Sequence, residues 1–138
     1  MSQESLLVVN KWKCKDGTIL NSRSRHDFVD HYDSNGEYYV VDGGLDYIRH
    51  SGNMECMCIY STDSHEKIRD NFEWTSYGKT GRDPAKTQLL KDLDPYHIVA
   101  IIETQTHLPL HIKKIFQDEL EYRKQQKLKE IDNATSKT

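Results

Sequence analysis

The hydrophobic positions change period halfway along the chain. Up to about residue 60 they fall in short runs separated by turn residues, as in strands; beyond that they recur every three or four positions, as in helices. Leu6 to Val9 predicts a first strand. Lys15-Asp16-Gly17 predicts a hairpin turn with a return over Thr18 to Leu20, because glycine tolerates the positive φ that such turns need. Asn21 to Arg25 reads as a polar loop. Phe28 to Tyr32 and Glu37 to Val41 predict a second hairpin around Ser34-Asn35-Gly36. Asp42-Gly43-Gly44 closes it, and two successive glycines imply positive φ or close approach by another group. Leu45 to Arg49 fits either a helical turn or a short strand. Met54 to Tyr60 reads as one strand, with Met57 and Ile59 on one face and Cys56 and Cys58 on the other.

In the second half, Asp63-Ser64-His65-Glu66 fits a capping box with Asp63 as the N-cap, opening a helix over 64–73. Trp74 to Tyr77 and Thr87 to Leu90 predict a third hairpin. Asp94-Pro95 starts a helix whose inner face is Ile98, Ile101, Ile102 and Gln105. His107-Leu108-Pro109 breaks it. A last helix follows to about Gln126, with Leu108, Ile112, Ile115, Phe116 and Leu120 at helical spacing and Phe116 in the core. The two helices should cover the strands carrying Ile19, Tyr39 and Val41. The expected fold class is α+β: N-terminal antiparallel β-hairpins packed with C-terminal helices, a single domain over 1–132 followed by a flexible polar tail over 133–138. Leu128 and Ile131 are either a frayed end or a stripe for a second copy, which leaves a homo-oligomer open.

Composition narrows the function classes. The chain has 138 residues, 36% hydrophobic and 30% charged. Without a run of about 18 apolar residues it predicts no membrane span, and the first residues carry no secretory signal pattern. The net charge of -3 lacks the basic excess that carries duplex binding, which disfavours nucleic acid as the main partner. Three cysteines, Cys14, Cys56 and Cys58, predict reduced thiols and a cytoplasmic setting. Their spacing lacks the paired knuckles of structural zinc, so no metal and no cofactor are expected.

Candidate chemistry lies in two groups. Arg23, Arg25, His26, Arg49, Lys79 and Arg82 are positioned to converge on an anion by charge-assisted hydrogen bonds, with Tyr47 or Tyr77 stacking on a base. Lys79 and Arg82 belong to a Gly-rich turn, Gly78 to Arg82, that does not match a Walker A loop. The alternative is a metal-dependent hydrolase or nuclease using His26, Asp27, His31, Asp42 and Asp46. The basic stretch Arg123 to Lys129 reads as a solvated helix end.

Arg25-His26-Asp27-Phe28, followed by Val41-Asp42-Gly43-Gly44 with Tyr47 and Arg49, resembles a small family of uncharacterised phage and bacterial proteins in which R-H-D-F and V-D-G-G-x-x-Y-x-R flank a hairpin. Many members look like zinc ribbons with cysteines in both turns; here Lys15-Asp16-Gly17 and Asp33 to Gly36 occupy the turns and only Cys14 remains, as in a ribbon that has lost its metal. Leu89 to Ile98 is similar to a module of small tailed-phage proteins. The resemblance implies an accessory protein acting in the host bacterial cytoplasm. The expected function is non-enzymatic binding in host takeover or counter-defence, with a small anionic nucleotide signal or a host protein as partner.

Overall fold

A computed structural model describes residues 5–24, 26–78 and 80–136, with backbone alone for 134–136. The chain forms β1 (Leu7–Lys13), β2 (Ile19–Ser22), β3 (Val29–Tyr32), β4 (Tyr38–Asp42), β5 (Arg49–His50), β6 (Glu55–Cys56), β7 (Ile59–Tyr60), α1 (His65–Asn71), β8 (Glu73–Ser76) and β9 (Lys86–Leu89). A 3-10 turn (Leu90–Asp92), α2 (Pro95–Thr104) and α3 (Leu110–Ser136) complete it. This is the α+β architecture the periodicity predicts. No described helix is long and apolar enough to cross a membrane.

β1 is the spine. It pairs antiparallel with β2 on one side and with β6 and β7 on the other, while β3-β4-β5 and β8-β9 form separate antiparallel sheets. Two cores meet along β1. Val8 and Val9 at its start join Ile59, Ile68, Phe72, Leu90, Leu93 and the inner faces of α2 and α3. Trp12 near its end joins Cys14, Leu20, Tyr39, Val41 and Cys58 between the two N-terminal sheets. The helices therefore cover Val8, Val9 and Ile59, not the strands carrying Tyr39 and Val41, and Ile19 is exposed. A register shift between Leu7 and Val9 lets β1 present apolar side chains to both layers at that end.

Other boundaries shift for local reasons. Asn21 and Ser22 belong to β2 rather than to the following loop, because they pair with Lys11 and Asn10. The expected strand over Met54 to Tyr60 is two short strands interrupted at Met57 and Cys58. The N-cap of α1 is Ser64, whose Oγ accepts from Lys67 N–H, while Asp63 accepts from Tyr60 N–H and closes the preceding turn. Leu45 to Arg49 resolves into a turn, with Asp46 N–H donating to Gly43, followed by the short β5. α3 continues to Ser136 rather than ending near Gln126, since no Gly or Pro interrupts 110–136.

A buried polar joint ties the two N-terminal sheets together. Asn10 and Ser22 sit opposite each other on β1 and β2 and are fully buried. Asn10 Nδ2 donates to the carbonyls of Asp42 (3.2 Å) and Gly44 (3.0 Å), and its Oδ1 accepts from Trp12 Nε1 (2.9 Å). Ser22 Oγ accepts from Gly44 N–H (2.9 Å) and donates to the Asp27 carbonyl (2.6 Å). Both glycines have positive φ, 100° at Gly43 and 54° at Gly44. A Cβ on Gly43 would lie 2.1 Å from the Tyr47 carbonyl oxygen, and one on Gly44 would lie 2.2 Å from the Ser24 carbonyl carbon.

Two outcomes follow from this packing. Gly43→Val and Gly44→Val each meet backbone as well as a disfavoured φ, so each should lose more than about 4 kcal/mol or fail to fold; thermal unfolding checks this. Phe116 is fully buried with edge-on contacts to Phe72 and Trp74 at ring centroid distances of 5.8 and 5.2 Å. Phe116→Ala should cost about 3–5 kcal/mol in urea denaturation.

Candidate functional site

The proposed anion site divides. Arg23 is matched to Glu73, with Nε 2.9 Å and Nη2 2.8 Å from Oε2, and Glu73 also accepts from Asn21 Nδ2 (3.0 Å). Arg49 is matched to the buried Asp42, whose carboxyl is held below its usual range by that guanidinium. His26 and Tyr47 are exposed beside the same turn. Arg82 lies exposed in the connection from β8 to β9, without an ion-pair partner among the described residues. In that connection the Asp83 carboxylate fills the space a Cβ on Gly78 would take, so an arriving anion meets a negative group. Arg25 and Lys79 lie outside the described residues. Of the eight candidates, Arg23 and Tyr77 share a groove.

The alternative histidine and acid set is also distributed. His31 Nε2 bonds Asp16 (2.7 Å) across the two hairpins, and that hydrogen bond is the main reason the Asp16 carboxyl falls to about 2. Asp27 accepts from Arg23 N–H (2.8 Å), and Asp46 stands on a groove rim. Among the described residues no three His, Cys, Asp or Glu side chains come together in a metal-holding group. The buried thiols are poor nucleophiles: desolvation pushes Cys58 up to about 12 and raises Cys14 as well.

Two grooves flank the β8-β9 ribbon. The larger, about 830 Å³, runs between β8 and α2 and is walled by Trp74, Tyr77, Tyr96, His97, Ala100 and Ile101. Tyr96 is 86% exposed at its mouth, held there because Asp94 caps α2 through Tyr96 N–H (2.8 Å). The second, about 620 Å³, has a floor of Val8, Val9, Leu108 and Ile112 and a rim of Arg23, Asp27, Asp46 and Glu73. Its rim carries three carboxylates against one guanidinium. Tyr77 was legible as a stacking candidate; Trp74, Tyr96 and His97 were not, because only the fold brings α2 beside the hairpin. No family model, curated protein or solved structure matches the chain.

A further charged centre escapes sequence reading. Glu119 of α3 is fully buried. Its Oε1 accepts from His65 Nε2 and Arg69 Nε (both 2.9 Å), and its Oε2 from Arg69 Nη2 (2.9 Å) and Arg123 Nε (2.6 Å). Arg123 also donates to the Leu90 carbonyl (3.1 Å), so it is a bridge to the 3-10 turn rather than a solvated helix end. The signal was the i,i+4 spacing of His65 with Arg69 and of Glu119 with Arg123, one pair per helix. Every Glu119 oxygen is occupied, which makes the cluster a clasp between α1 and α3 and leaves no lone pair aimed at a ligand.

Burial pushes the Glu119 pKa up, but the bonds from Arg69, Arg123 and His65 outweigh it and hold it below the ordinary value. A depressed folded pKa contributes stability above the unfolded pKa, lost as pH falls through the folded value. Glu119→Gln should therefore cost about 3 kcal/mol or more at pH 7, since both guanidinium groups lose their charge partner. It should also flatten the acid limb of stability against pH, as read by denaturant titrations from pH 7 downward.

Proposed function

We propose that this protein is a tailed-phage accessory protein that acts in the infected cell's cytoplasm by binding, without catalysis. The observation that carries the binding reading is the groove between β8 and α2, where four rings, Trp74, Tyr77, Tyr96 and His97, wall one concave surface. Aromatic walls of this kind suit a flat apolar group, because stacking contributes about 1–3 kcal/mol per ring without needing a charged partner. The distribution of His26, Asp27, His31, Asp42 and Asp46 over separate contacts favours binding over hydrolysis. The phage origin is supported by the R-H-D-F and V-D-G-G-x-x-Y-x-R motifs.

The flat group belongs either to a small anionic nucleotide or to an aromatic side chain of a host protein. The pairing of Arg23 with Glu73 and of Arg49 with Asp42 favours the second, because two of the cations meant for a phosphate are already neutralised.

The test is an NMR titration with adenosine monophosphate, adenosine and N-acetyl-tyrosinamide as probes. Shifts should concentrate at the Trp74 indole N–H, Tyr77, Tyr96 and His97, and Tyr77→Ala should weaken binding by about tenfold. Tighter binding of the monophosphate than of adenosine selects the nucleotide form; equal binding of all three selects the protein form. No shift at these residues with any probe overturns the reading.

A further inference from the structure

The β8-β9 ribbon has no third strand among the described residues. Leu90 N–H donates to the Phe72 carbonyl (2.8 Å), which sets the phase of the ladder. From that bonded pair, the register alternates: Trp74 with Gln88 and Ser76 with Lys86 exchange main-chain hydrogen bonds. Glu73 with Leu89 and Thr75 with Thr87 are the intervening pairs, whose N–H and C=O groups point away from each other. The Thr75 and Thr87 hydroxyls lie 2.8 Å apart, the close side-chain approach expected of such a pair. On the outer side of β8, Glu73 and Thr75 therefore direct main-chain donors and acceptors away from β9, and among the described residues no turn or loop backbone takes them.

The two grooves border this edge from opposite faces. Of the ribbon's strand residues, Glu73 and Thr87, on one face, line only the smaller groove and Ser76, on the other face, lines only the larger; Trp74, Thr75 and Tyr77, along the edge between them, line both. A strand sends successive side chains to opposite faces. An edge with a groove on each face is thus matched to one added strand. The grooves differ in chemistry. The larger is aromatic. The smaller has an apolar floor under a carboxylate-rich rim, where Asp46 lacks an ion-pair partner among the described residues.

We propose that an extended segment of a partner protein adds to β8 as a third strand. Its alternate side chains are aromatic or aliphatic, against Tyr96 and His97, and long basic ones, lying over Leu108 and Ile112 toward Asp46. Main-chain pairing with Glu73 and Thr75 supplies affinity, and the two grooves supply sequence preference. The inference rests on the binding reading above and names its partner class.

The test pans a displayed heptapeptide library against the full-length chain, then measures the synthesised winners by calorimetry and amide exchange. The winners should alternate aromatic or aliphatic with Lys or Arg residues. They should slow exchange of the Thr75 amide. N-methylation at every second peptide residue in one phase should weaken binding by at least about tenfold, and in the other phase leave it unchanged. Thr75→Pro, which removes an outward donor and spares the ladder to β9, should weaken binding similarly. Because methylation alters the peptide, it remains decisive if Thr75→Pro does not fold. Binding insensitive to methylation, protection confined elsewhere, or assembly of two copies through β8 overturns the proposal. If the monophosphate shifts the groove residues and no peptide binds, strand addition falls and the binding reading stands; if neither binds, both fall.

Discussion

The fold hinges on one cross-strand pair, Asn10 opposite Ser22. An asparagine and a serine with no exposed surface would each be costly in an apolar interior, by about 1–3 kcal/mol per unsatisfied group. Here both are satisfied by the backbone of a single turn, Asp42-Gly43-Gly44, which belongs to the neighbouring sheet. The arrangement works only if the turn comes close enough for its carbonyls and amide to reach them. Gly43 is closed off by the Tyr47 carbonyl and ring and Gly44 by the Ser24 backbone, so no side chain fits at either position, and both take positive φ. The Trp12 indole completes the asparagine's bonding and carries the same joint into the second core. Polar satisfaction, sheet-to-sheet spacing and glycine choice are thus one constraint.

This explains what could be read from the sequence and what could not. Strand and helix periods, the Asp16-Gly17 and Asn35-Gly36 turns, the Asp94 cap and the role of Phe116 are local, and they are written in neighbouring residues. The double glycine was legible as a conformational demand. Its physical cause was not, because the groups crowding it come from Ser24 and Tyr47, and the groups bonding it from Asn10 and Ser22. The division into two cores was hidden for a similar reason. Val8 and Trp12, four apart, would share a face of a regular strand, yet a register shift between Leu7 and Val9 accompanies their placement in different layers.

The site was harder still. Listing Arg23 and Arg49 as anion ligands treats their charge as available, but charge is consumed by partners that sequence does not reveal. Glu73 lies 50 positions from Arg23. Asp42 lies only seven positions from Arg49, but its residue type fits a metal set as readily as it fits the arginine. The Glu119 clasp shows the converse. Arg123 looked like one more solvated cation, but a buried carboxylate one turn earlier on α3 draws it inward, together with Arg69 from α1. The His65 ring and the Arg69 guanidinium also approach Tyr122, so the clasp is packed as well as charged.

These two buried polar centres leave the β8-β9 ribbon in a distinct mechanical position. The Asn10 joint fixes the N-terminal sheets, and the Glu119 clasp fixes α1, the 3-10 turn and α3. The ribbon is anchored at its base, where Phe72 meets Leu90 and Trp74 stands edge-on to Phe116. Beyond that base its residues are partly or fully exposed, and its outer edges form no part of either core. An open edge of this kind is normally a liability, since unpaired strands aggregate. Its threonines and Lys86 keep it polar, it is only four residues long on each side, and Glu73 at the start of β8 is tied through Arg23 to the end of β2. Short length and charge blunt indiscriminate pairing while leaving the main-chain groups of Thr75 accessible between two grooves. A surface can stay open in this way because the stability of the fold is secured elsewhere, in the Asn10 joint and the Glu119 clasp.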